Sequence, residues 1–118
     1  LKALFCNCAL ALFDIIARKK RVTTSPAKRI LTIRKTTENL EELLISWLSE
    51  LISLSDAHGL IFEKFKINKL TNKQIVASVT GSKKENFRVK TEIKAATYHE
   101  LKIEKTKSGW QAQVIFDV

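Results

Sequence analysis

Methionine is absent from this chain; proline occurs once, glycine three times, and cysteine and histidine twice each. Each scarcity removes a class of function. Three glycines leave no G-x-x-x-x-G-K or G-x-G-x-x-G loop to cradle a phosphate with backbone amides. The histidines, His58 and His99, stand in no H-E-x-x-H, and no G-x-S-x-G is present, so a self-contained enzyme is hard to build from this chain. Cys6 and Cys8 are two positions apart; on a helix such side chains diverge, and zinc sites use wider spacing and more ligands. They read as two small buried thiols in a reducing compartment, which favours the cytoplasm. No apolar run approaches the roughly 18 residues that a membrane-spanning helix needs. The opening LKALFCNCALALFDIIARKK imitates a secretory leader, but Asn7 and Asp14 interrupt it and its cations follow the apolar run. It reads as a core helix.

Charge is the abundant commodity. Lys and Arg number 21 against 12 Asp and Glu, a net charge of +9. Such a surface suits acidic partners: nucleic acid, nucleotide phosphates or an acidic protein face. No acidic residue occurs between Ile15 and Thr37, where eight cations lie: Arg18, Lys19, Lys20, Arg21, Lys28, Arg29, Arg34 and Lys35. A basic RNA-binding module built on this stretch is therefore an alternative reading, weakened by the scarcity of aromatics around it for base stacking. With 118 residues, 45% of them hydrophobic, the chain suffices for one domain spanning residues 1–118.

Periodicity predicts a helix from Lys2 to about Ala17, with Leu1, Leu4, Phe5, Cys8 and Leu12 on one side. Arg18 to Arg21 are expected to close it, where cations suit the helix dipole. Thr23-Thr24-Ser25-Pro26 reads as a loop, and Lys28 to Thr36 as a strand. Asn39 with Glu42 resembles a capping box, Leu40 to Ile52 is an amphipathic stripe, and Gly59 is a plausible left-handed cap. The remainder is strand-like: Leu60 to Leu70, Gln74 to Thr80, Phe87 to Ile93, then a hairpin through Lys107-Ser108-Gly109 into the final strand. Gly81-Ser82-Lys83-Lys84 is expected to turn the chain. The fold class is α+β, two helices layered on a mostly antiparallel sheet.

The tail carries the candidate chemistry. Asp117 ends an apolar strand, and a buried acid is costly unless a cation pairs with it. Asp117 and the Val118 carbonyl offer two oxygens to a hard divalent ion, too few alone. Spacing by itself favours a solvated Asp117 at a fraying end, Lys94 on the wet side of a strand, and His99 at the surface. If the strands pair, the Glu92–Lys94 edge and Asp117 are expected to lie close.

Beyond these readings, Glu92-Ile93-Lys94-Ala95-Ala96-Thr97-Tyr98-His99 and Gly109-Trp110-x-Ala112-x-Val114-Ile115-Phe116-Asp117-Val118 resemble the carboxy-terminal signature of the archease family. Asn7-Cys8-Ala9-Leu10-Ala11-Leu12-Phe13-Asp14, Asn39-Leu40-Glu41-Glu42-Leu43-Leu44 and Trp47-Leu48-x-Glu50-Leu51 are similar to further family segments, in family order. The resemblance implies a non-catalytic activator of the RtcB-type RNA ligase of tRNA splicing and RNA repair. It would promote GTP-dependent guanylylation of that ligase and its multiple turnover, touching tRNA only indirectly. It also implies a metal site, for calcium or for manganese or magnesium, using Asp117 and the carbonyl of Val118, and a ligase-activating role for Lys94. The family's third metal ligand comes from an amino-terminal His-x-Ala-Asp-like strand that precedes the first helix, so a segment upstream of Leu1 is expected. The loop after Gly81 also departs from the family: Ser82-Lys83-Lys84-Glu85-Asn86 is short and basic where relatives are often longer and acidic.

Overall fold

A computed structural model describes residues 1–20 and 27–118; the expected loop at Thr23–Pro26 and the cation Arg21 lie outside the described residues. The first helix, α1, spans Lys2–Ile16 and buries Leu4, Phe5, Ala9, Leu12, Phe13 and Ile16. Its end differs from the expectation. Ala17 is extended (φ −150°, ψ 156°), and Arg18 and Lys19 belong to a short strand, β1 (Ala17–Lys19), instead of closing the helix. The reason is tertiary. The Ile16 carbonyl accepts from the backbone N–H groups of Lys90 and Thr91, and β1 pairs antiparallel with β5 (Phe87–Val89), which overrides the dipole preference of the cations.

The next strand, β2 (Arg29–Thr36), leads into α2 (Leu40–His58). Capping follows the sequence signal. The Asn39 side chain accepts from the Glu42 N–H at 2.9 Å, while the Glu42 carboxylate reaches back to the Glu38 N–H at 3.1 Å. Gly59 stops the helix in the left-handed region (φ 62°), a conformation that costs other residues about 1–2 kcal/mol. Between these caps Leu43, Leu44, Trp47, Leu48 and Leu51 are wholly buried. Trp47 donates its indole N–H to the Phe5 carbonyl at 3.1 Å, tying α2 to α1 inside the core.

Then come β3 (Leu60–Leu70) and β4 (Gln74–Lys83), which with β2 make a three-stranded sheet in the order β2-β4-β3. The chain does not turn at Gly81, contrary to expectation. That glycine sits inside β4 opposite Phe62, where an added Cβ would lie 2.6 Å from the Ile61 carbonyl oxygen. Glycine is there for close strand approach, and the reversal falls one step later in a 3₁₀ turn at Lys84–Asn86. Of the strand expected over Phe87 to Ile93, only Phe87–Val89 is a strand, with further backbone bonds from Lys90 and Thr91 to Ile16. The last two strands, β6 (Ala95–Thr106) and β7 (Gly109–Asp117), form the expected hairpin.

Among the described residues, two helices and seven antiparallel strands thus make an α+β domain, its strands divided among three small sheets. One apolar cluster joins them; Phe13 meets Phe62 edge-on at 5.6 Å, and Trp47 meets Phe65 at 6.2 Å. Among the described residues no helix is long and apolar enough to cross a membrane.

Candidate functional site

The motif-bearing end of the hairpin is built by register. Ala95 faces Asp117, Ala96 faces Phe116 and Thr97 faces Ile115. One residue further, the Lys94 N–H donates to the Asp117 carbonyl at 2.8 Å, so the ladder reaches Lys94 although the strand does not. The Thr97 hydroxyl adds a bond to the Ile115 carbonyl at 2.8 Å. Alternation supplies the anchoring: Ile93 and Ala96 are buried, and Ala112, Val114 and Phe116 pack against the core from the partner strand. Lys94 itself is exposed, as is Asp117. The structure therefore brings Lys94 and Asp117 together through their backbones and presents both side chains to solvent.

Val118 is 74% exposed at the same end. A calcium ion takes about six to eight oxygens, and a magnesium ion about six. The Asp117 carboxylate and Val118 carbonyl are two donors, and no group of three or more His, Cys, Asp or Glu stands together among the described residues. These residues alone do not fit a divalent ion. His99 and Glu92 are exposed.

Sequence reasoning missed the irregularity that follows. Between Thr97↔Ile115 and Lys102↔Gln113 the register slips, so that β6 bulges over Tyr98, His99, Glu100 and Leu101. Glu100 takes φ 49°, a left-handed backbone uncommon for a side-chain-bearing residue, and its carbonyl accepts from the Gln113 amide at 3.0 Å. Tyr98 is consequently 59% exposed. The only signal in the sequence was the break in alternation at Tyr98-His99-Glu100.

Two further electrostatic features bear on the surface. Glu63 receives Lys28 at 2.9 Å and Lys19 at 3.6 Å, joining β1 and the entry to β2 to strand β3. Burial pushes the Glu63 carboxyl up, but the Lys28 hydrogen bond and the charges of Lys28 and Lys19 outweigh it and hold it below its ordinary value. Burial raises both Cys6 and Cys8 thiols, which keeps them protonated and poorly nucleophilic at neutral pH. In the basic turn, Lys84 pairs with Asp56 at 3.3 Å and its N–H donates to the Gly59 carbonyl, so this turn pins the end of α2. Beside it a cleft of about 240 Å³ is lined by Ser55, Asp56, Lys84, Thr91, Glu92 and Ile93, among others.

Taken together, the fold and site define a small basic α+β domain whose distinctive end is a rigid backbone ladder displaying a lysine and an acid. The chain belongs to the Archease protein family (MTH1598/TM1083), whose family model matches residues 1–118. It is 37% identical over 124 residues to protein archease of Methanosarcina acetivorans, covering 100% of this chain and 83% of that protein. Protein archease of Pyrococcus furiosus is 39% identical over 116 residues, covering 93% and 80%. That of Methanothermobacter thermautotrophicus is 31% identical over 123 residues, covering 100% and 85%.

Proposed function

We propose that the protein is a non-catalytic partner of an RNA ligase in tRNA processing, and specifically an activator of an RtcB-type ligase. In this reading it docks by the hairpin end and promotes guanylylation of the ligase from GTP and its repeated turnover. Family membership supports the coarse statement. The observation that carries the finer one is the 2.8 Å bond from the Lys94 N–H to the Asp117 carbonyl. It fixes the backbone of Lys94, whose exposed side chain leaves from a segment anchored by its buried neighbours Ile93 and Ala96. An ammonium group carried on this anchored backbone offsets the repulsion between nucleotide phosphates when it is brought beside them.

A divalent ion, calcium or else manganese or magnesium, belongs to the same reading only with oxygens from beyond Asp117 and Val118. No step is assigned to it. A cytoplasmic location accords with two free thiols. The test is to mix the purified protein with its cognate ligase and GTP and follow ligase–GMP formation. Stimulation over the ligase alone is the expected result; an unchanged rate over a range of protein concentrations rejects the reading.

A further inference from the structure

The pairing of β1 with β5 sets two arginines face to face. Arg18 lies directly opposite Arg88 in the register. Both are exposed, and cross-strand partners share one side of a ribbon. The ladder continues past each end. The Lys20 N–H donates to the Asn86 carbonyl at 3.1 Å, and the Lys90 N–H to the Ile16 carbonyl at 2.7 Å. Lys20 stands two positions from Arg18 and Lys90 two positions from Arg88, the spacing at which strand residues return to the same side. Arg18 and Arg88 thus share one side of a two-stranded ribbon, and the exposed Lys20 and Lys90 flank them one step beyond the strand ends, a run of four exposed cations.

Nothing described neutralises this row. The ion pairs among the described residues engage Lys19, Lys28, Lys35 and Lys84, and none of these four. The undescribed residues 21–26 cannot help, since they contain no Asp or Glu. Like charges placed directly opposite in a ladder destabilise it. The direct opposition of Arg18 and Arg88, flanked by two more cations, is offset when a polyanion lies across it.

We propose that the Arg18–Arg88 ribbon, with Lys20 and Lys90, binds the phosphate backbone of RNA. Charge complementarity favours a polyanion, and the composition of the row favours RNA over an acidic protein. A protein interface has an apolar centre within a polar rim, whereas these four positions are all cationic. The row contains no aromatic side chain, so contact is to phosphates and is indifferent to base sequence. Location fits as well. Only Thr91, Glu92 and Ile93 separate Lys90 of the row from Lys94, a reach of at most about 14 Å for four extended steps. RNA on the ribbon thus runs close to the end proposed to meet the ligase. That proximity rests on the ligase reading; the RNA contact does not.

The test uses the intact protein and a fluorescein-labelled, unstructured RNA 20-mer, read by fluorescence anisotropy across a salt series. The variant R18Q/K20Q/R88Q/K90Q is compared with K64Q/K66Q/K69Q/K73Q, which removes the same charge from exposed positions on β3 and the turn after it. The expected result is at least a ten-fold loss of affinity in the ribbon variant, much less in the control, and a salt slope lowered by roughly 3. Equal losses in both, or none in either, overturn the proposal. So does a poly-glutamate peptide that binds the ribbon as tightly as the RNA, which would assign it to acidic proteins. If thermal melting shows the quadruple variant unfolded, R18Q/R88Q replaces it, with a three- to five-fold loss expected and no loss as the overturning result. Ligase–GMP formation with Lys94→Glu, measured without RNA, is read separately. Its failure to respond counts against the ligase reading and leaves the RNA result standing.

Discussion

Lys94 and Asp117 meet through a backbone hydrogen bond of 2.8 Å, while their side chains stay in solvent. Substituting either side chain leaves that bond intact. Lys94→Glu and Asp117→Ala are each expected to reduce stimulation of the cognate ligase to the rate of the ligase alone. Stability should change by no more than about 0.5 kcal/mol, as for other surface positions. Parallel guanylylation assays and urea titrations check this, and full stimulation by the folded variants would remove both residues from the proposed contact.

The opposition of Arg18 and Arg88 has a stability consequence independent of any ligand. Arg88→Gln relieves a directly opposed like-charge pair, so a gain of about 0.2–1 kcal/mol is expected at low salt. The gain should shrink as salt screens the exposed charges. Urea denaturation at low and high ionic strength measures it, and a loss of stability at low salt would show that the pair is not repulsive.

Gly81 is held by space, not by a turn. Its missing Cβ would stand 2.6 Å from the Ile61 oxygen and 2.9 Å from the Phe62 ring. Gly81→Ala should therefore destabilise by about 1–3 kcal/mol, the range for forcing atoms into a packed interior. A thermal melt detects this as a fall of several degrees. An unchanged melt would mean that β3 and β4 separate easily at this point.

Acid should weaken the junction at Glu63. Its carboxyl sits below its ordinary value of 4.5 because Lys28 and Lys19 favour the charged form over the opposing effect of burial. A depressed carboxylate contributes stability that is present above the unfolded value and is lost as pH falls through the folded one. The stability difference between the wild type and Glu63→Gln is expected to stay constant from pH 7 to about 5 and to shrink below about 4.5. Urea titrations across that range test it, and a difference that grows on acidification would contradict the assignment.

Some of this molecule was legible without coordinates. Asn39, Glu42 and Gly59 marked both ends of α2 correctly, because capping is local chemistry within a few residues. The α+β class followed from periodicity, and the hairpin from the turn at Lys107-Ser108-Gly109. The nearness of Lys94 and Asp117 was anticipated once the strands were assumed to pair. The failures share a cause. Arg18 and Lys19 suited a helix end, and Gly81 suited a turn, until distant segments came to lie beside them.

The sequence alone determined where α2 starts and stops, which faces are apolar, and that an excess of cations crowds residues 18–35. Those are properties of near neighbours along the chain. Only the tertiary structure decided that Arg18 faces Arg88, that Gly81 touches Ile61 and that β6 bulges at Glu100. Register between strands depends on side chains and backbones meeting across about ten to seventy positions in these three cases, and no local preference encodes that choice.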